Sequence, residues 1–68
     1  MSFADNLKKA REIKDISQAQ LANAVGISQP IIAQYEKGLK LPSVIIAADI
    51  AKRLGTTCEE LVGNDSTP

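Results

Sequence analysis

The sequence predicts an all-α domain built from five short helices. Three observations carry this prediction. Apolar residues recur at three- and four-residue spacing in five stretches. Gly26, Gly38 and Gly55 each follow such a stretch, where a left-handed residue ends a helix at little cost. Ser and Thr stand just before several of the stretches, with Gln or Glu three positions later. The chain has 68 residues, 44% of them apolar, which is enough for one small core and too much for a disordered tail.

The first helix is expected over 3–14, with Phe3, Leu7, Ala10, Arg11 and Lys14 on one stripe. An Arg within an apolar stripe requires a partner. The second opens with the capping box Ser17-Gln18-Ala19-Gln20, presents Leu21, Ala22 and Val25 inward, and stops at Gly26. The third covers 28–37. Ser28 is expected to cap it, and Pro30 falls in the first turn, where the amide it lacks has no intrahelical acceptor. Ile32, Tyr35 and Glu36 share one side, while Gln29, Pro30, Ala33, Gln34 and Lys37 span the other.

The fourth helix follows the cap Ser43 and covers 44–54, with Ala47, Ala48, Ile50, Ala51 and Leu54 inward. Ile45 and Ile46 widen its apolar surface. The fifth opens with a second capping box, Thr57 to Glu60, and its Leu61 and Val62 are expected to plug the core. Cys58 reads as a small core hydrophobe. Residues 1–63 form the expected domain and 64–68 a frayed polar tail.

Composition excludes several kinds of chemistry. With no His and one Cys, the chain holds neither a disulfide framework nor a His/Cys zinc site, and it lacks the base of a Ser-His-Asp or Cys-His mechanism. Glu59 and Glu60 are adjacent, so they do not face each other as paired carboxylates on a helix. No enzyme, cofactor or metal is expected. No apolar run is long enough to span a membrane, and the N-terminus has no signal-peptide pattern. Phe3 and Tyr35 are the only aromatic residues, too few for a platform that stacks single-stranded bases.

The informative unit is 17–38. Two short helices joined by Val25-Gly26-Ile27-Ser28 form a helix-turn-helix pattern, and the second is polar on one face, which suits a DNA major groove. The stretch from Leu7 to Leu61 resembles the Cro/phage-repressor (XRE-type) helix-turn-helix domain. The matching pieces are Leu7 with Arg11, SQAQLA from Ser17, VGIS from Val25, YEKG from Tyr35 with Pro42, and IAKRLG from Ile50 followed by EEL.

The resemblance implies a lambda-repressor-like five-helix globule that binds double-stranded operator DNA as a homodimer, with helix 28–37 in the major groove. It implies base contacts from Gln29 and Gln34 and a phosphate contact from Gln18. Pro30 and Ala33 are expected to add apolar contacts with the bases, and Ser28, Lys37 and Lys40 further phosphate contacts. A Gln amide can pair with adenine through one donor and one acceptor. Arg11 and Glu36 resemble the family's ion pair between the first and third helices. Ile45, Thr56, Thr57, Leu61 and Val62 are candidates for the dimer contact.

The family further implies a prokaryotic or phage-encoded transcriptional regulator, a repressor in this reading, acting in the cytoplasm and at the nucleoid when bound. The sequence offers no sensor domain after the fifth helix, so the expectation is either regulation by concentration and partners or a longer protein of which this is a part. The start at Met1 favours the expectation of a complete small protein.

Two departures qualify the resemblance. Pro30 and Ala33 stand where many relatives carry polar groove-facing residues. The formal net charge is zero, although all eight basic residues and only five of the eight acidic ones fall within 1–58. This balance, with the apolar Ile45 and Ile46, keeps a second function open: a protein-interaction module of the same fold, such as the antitoxin partner of a toxin.

Overall fold

The Schellman turn that ends the first helix sets the path of everything after it. The computed structural model describes residues 2–62. Helix α1 (Phe3–Ile13) is capped by Ser2, whose hydroxyl accepts from the Asp5 amide. It ends where Asp15 takes a left-handed conformation at φ 57°. The Ile16 amide then donates back to the Arg11 carbonyl and the Asp15 amide to that of Glu12, which together satisfy the helix's last carbonyls. Asp is one of the few residues that enter this region without severe strain.

Helix α2 (Gln18–Val25) carries a complete capping box: the Gln20 amide donates to the Ser17 hydroxyl, and the Ser17 amide donates to the Gln20 side-chain oxygen. Gly26 closes it at φ 82°, a conformation an L side chain resists, and redirects the chain into helix α3 (Gln29–Glu36).

Ser28 occupies the cap position of α3, but its side chain makes no cap bond, contrary to expectation. Pro30 removes one of the two amides that such a hydroxyl serves, and the Ile31 amide donates to the Ser28 carbonyl instead. Helix α4 (Val44–Arg53) is capped by Ser43 through the Ile46 amide, and helix α5 (Cys58–Val62) is a single short turn and a half. At α5 the Glu60 amide donates to the Thr57 hydroxyl, but that hydroxyl itself donates to the Glu60 carboxylate, so the expected reciprocal backbone bond is replaced.

The fold is all-α, with no strand among the described residues. Leu7, Leu21, Ile32, Ile50 and Leu61, one from each helix, are the largest fully buried side chains, and Tyr35 and Leu54 close around them. Phe3, Ile16, Val25, Ile27, Ile46 and Cys58 pack against this cluster at its edge. Helix α3 lies between α1 and α2, and α5 bridges α1 and α4.

Three expectations about burial are corrected. Ala48 faces solvent, because its position falls off the stripe of Ile50, Ala51 and Leu54. Val62 is 51% exposed while Leu61 alone plugs the core, since neighbours on a helix point about 100° apart. Leu61, at 2% exposure, is spent on the monomer's own core and is withdrawn as a dimer contact.

No described helix is long and apolar enough to cross a membrane. The tail expected at 64–68, and the boundary placed at 63, lie outside the described residues.

Candidate nucleic-acid interface

Helices α2 and α3 pack against each other and share a core that holds Leu21, Ala22 and Ile32, which leaves polar residues of both helices on the outer surface. Gln29, Pro30 and Gln34 of α3 are exposed on it, and Ala33 is partly buried between them. Ser28 at the mouth of α3, and Lys37 and Lys40 past its end, are also exposed. Gln18 opens α2 and is half-buried.

A chain of polar contacts runs inward from this surface. Gln29 Nε2 donates to Gln18 Oε1 at 2.7 Å. Gln18 Nε2 donates to Glu36 Oε1 at 3.0 Å. The Glu36 carboxylate also accepts from Arg11, from Nε at 2.6 Å and from Nη2 at 3.1 Å. Arg11 Nη1 finally donates to the Ile16 carbonyl at 2.7 Å. The network thus ties three helices and the α1–α2 turn to one exposed amide.

The ion pair is largely removed from water, with side-chain exposures of 12% for Arg11 and 4% for Glu36. Burial pushes the Glu36 carboxyl up, but the hydrogen bonds from Arg11 and Gln18 and the nearby positive charge outweigh it and hold the carboxyl below its ordinary range. The bond to Glu36 likewise raises the Arg11 guanidinium, against a smaller desolvation cost. Both groups are therefore charged at neutral pH.

The structure brings together Gln18, Gln29, Arg11 and Glu36 and leaves Gln34, Lys37 and Lys40 exposed, with no side-chain hydrogen bond among the described residues. The links between Gln18 and its two partners were not read from the sequence. Residues 18 and 29 are eleven apart, and their meeting depends on the angle at which Gly26 sets the two helices.

The dimer candidates are scattered: Ile45 is 80% exposed, Thr57 is exposed, and Thr56 is half-buried. An apolar groove of about 290 Å³ is walled by Phe3, Leu41, Pro42, Val44, Ala47 and Val62, with Cys58 in it; Ile45 does not line it. Leu41 and Val44 were not singled out from the sequence, because each sits next to a helix-breaking or capping residue rather than on a periodic stripe. Of the two residues that widen the apolar surface of α4, Ile46 packs on the core while Ile45 is exposed.

Comparison with known proteins adds four findings. A helix-turn-helix family profile matches residues 7–61. The HTH-type transcriptional regulator Rv0474 of Mycobacterium tuberculosis is 38% identical over 55 residues, which span 81% of this chain but only 39% of that regulator's length.

Among solved structures, the P22 c2 repressor in complex with a synthetic operator superposes with a TM-score of 0.89 and 25% identity, covering 96% of this chain and 98% of that one. Hydroxypropylphosphonic acid epoxidase from S. wedmorenis also superposes, with a TM-score of 0.82 and 32% identity over 90% of this chain. The match covers just 32% of that enzyme, so the likeness concerns one part of it.

Proposed function

From the premise that the chain belongs to the Cro/phage-repressor (XRE-type) helix-turn-helix family, a family of DNA-binding transcriptional regulators, we propose that it is a sequence-specific repressor binding a palindromic operator as a homodimer. Each protomer lays α3 in a major groove. Gln29 and Gln34 read base edges, and Pro30 and Ala33 contact thymine methyls. Gln18, Ser28, Lys37 and Lys40 hold phosphates on either side, which sets the register of the helix without carrying sequence information. Two half-sites then lie about 34–36 Å apart, one turn of the duplex. Repression follows from occupying DNA that polymerase requires.

The observation that carries this reading is the exposed amide of Gln29, held by Gln18 at the N-terminal end of a short helix whose other face is core. The unoccupied Ser28 hydroxyl supports a phosphate role, since Pro30 has released it from capping. Selection of bound duplexes from a random pool, at two protein concentrations, tests site, symmetry and stoichiometry together. Gln29→Ala is expected to cost about 1–3 kcal/mol and relax one base position per half-site. Unchanged affinity and base preference would refute the recognition role.

The apolar groove at Val44 and the exposed Ile45 support a second reading, a protein-interaction module of the antitoxin kind. Salt separates the two. Binding through phosphates weakens steeply as counterions are added, whereas an apolar protein contact does not.

A further inference from the structure

The donor–acceptor order along the chain of contacts is dictated from its buried end. A carboxylate only accepts, so the amide that meets Glu36 must turn its nitrogen inward. The two ends of a glutamine amide have nearly the same shape, and only such a partner tells them apart. With Gln18 Nε2 committed to Glu36, Gln18 Oε1 faces outward and accepts, and Gln29 must answer with its own Nε2. Gln29 then has its oxygen and one remaining N–H to offer. That pattern fits adenine, which presents an N6 donor beside an N7 acceptor, and not guanine, which presents two acceptors.

We propose that Glu36 is a positioning residue for base recognition: acting through Gln18, it fixes the orientation of the Gln29 amide and so selects adenine over guanine. This rests on the reading of Gln29 as a base contact. Glu36 itself is buried behind Gln18 and touches no DNA. Its roles in recognition and in the ion pair meet at one atom: Oε1 accepts from Gln18 Nε2 and from Arg11 Nη2, while Oε2 accepts from Arg11 Nε. An amide oxygen in the place of Oε2 keeps the shorter of the two Arg11 bonds. Gln18 requires that its neighbour have no hydrogen to give.

The test is Glu36→Gln. In this variant the amide oxygen stays on Arg11 Nε, and the new NH2 takes the place of Oε1, facing Gln18 and giving up the bond from Arg11 Nη2. Gln18 turns over to accept it, Gln29 turns over in response, and two donors face the groove, the complement of guanine N7 and O6. Competition binding first identifies the position relaxed by Gln29→Ala and then compares adenine and guanine there. The expected result is a fall of roughly tenfold or more in the adenine-to-guanine affinity ratio, within the range a bidentate contact supplies.

Gln18→Met, which keeps the length of the side chain and removes the amide, should bring the same ratio toward one without favouring guanine. If Glu36→Gln fails to fold, this variant decides alone. A second readout needs no DNA: in the free protein both substitutions should move the Gln29 side-chain NH2 resonances toward those of a solvated glutamine.

A folded Glu36→Gln that loses affinity uniformly, with the base ratio intact, would reduce Glu36 to a structural role and overturn the proposal; so would an unchanged ratio in Gln18→Met. If Gln29→Ala relaxes no position at all, the recognition reading itself fails and the proposal falls with it. Relaxation by Gln29→Ala with no response to the other two sinks the positioning claim alone.

Discussion

The Asn6 side chain donates from Nδ2 to the backbone carbonyl of Leu61 at 2.8 Å, joining the first helix to the last across 55 residues of sequence. Helix α5 has five residues, far too few to persist without tertiary support. It is held by the burial of Leu61 and by this bond, which satisfies one of its terminal carbonyls. Asn6→Ala is therefore expected to destabilise the fold by about 1–2 kcal/mol, a lost hydrogen bond plus a poorly solvated acceptor. Amide exchange should quicken in α5 well before α2 or α3 respond. Equal loss of protection everywhere would show that α5 opens only with the whole domain.

Arg11 and Glu36 set a different kind of constraint. Taking two charges out of water is costly, so the pair need not stabilise the fold relative to apolar residues of similar shape. Removing one partner leaves the other charge buried and unmatched. Arg11→Met should cost about 3–5 kcal/mol in urea unfolding, and the double change Arg11→Met with Glu36→Leu should recover most of that loss. A double variant as unstable as the single one would mean that the charges contribute net stability.

The same pair makes stability depend on acid. The Glu36 carboxyl is held below its ordinary value of 4.5 in the folded chain, while Arg11 stays protonated throughout the acid range. The unfolded state therefore binds a proton at higher pH than the folded state does. The contribution of Glu36 is complete above pH 4.5 and is lost as the pH falls through the lower folded value. Urea midpoints measured from neutral pH downward should decline in this window, and the decline should flatten in Glu36→Gln. An identical acid limb in that variant would assign the effect to other carboxylates.

Much of this architecture was legible because local signals and burial agree. The capping box at Ser17, the glycine at 26 and the inward stripes of α2 and α3 each predict the same turn. The failures have physical causes. Asp15 ends α1 in a conformation for which glycine is the usual sign, so the stop carried no glycine to read. Ser28 sits in a capping position, but Pro30 two residues later removes one of the two amides its hydroxyl could serve, and the Ile31 amide turns to the Ser28 carbonyl. Leu61 and Val62 are equally apolar, and only the orientation of α5 on α1 decides which one is buried.

The contact between Gln18 and Gln29 was out of reach for a similar reason: a spacing of eleven predicts no meeting until the interhelical angle is known. Asn6 carried no signal at all, since its partner is a backbone carbonyl 55 residues away.

Lys37 and Lys40 test the electrostatic part of the proposed function. Both are exposed beyond the end of α3, with no acidic residue between them. A lysine that neutralises a phosphate releases a counterion, so each substitution by alanine should reduce the slope of log affinity against log salt by about 0.9. The loss should be uniform across duplex sequences, because phosphates carry no base information. A slope that stays constant would place these lysines off the DNA.

Ile45 tests assembly. At 80% exposure it adds nothing to the core, and its chain neighbour Val44, 82% exposed, lines an apolar groove with Leu41, so α4 leaves apolar surface in water that a second protomer would cover. Ile45→Glu should change monomer stability by no more than about 0.5 kcal/mol, the usual range for a surface substitution. Operator binding should respond according to the number of half-sites. On a full palindrome both protomers gain from each other's attachment, and a charge placed in their contact removes that gain. On a single half-site only one protomer binds, and the substitution has nothing to disturb. Lower affinity for the palindrome with unchanged affinity for the half-site, accompanied by a shift toward monomer in sedimentation, would place Ile45 in the dimer contact. Equal effects on both duplexes would move the contact elsewhere on the chain.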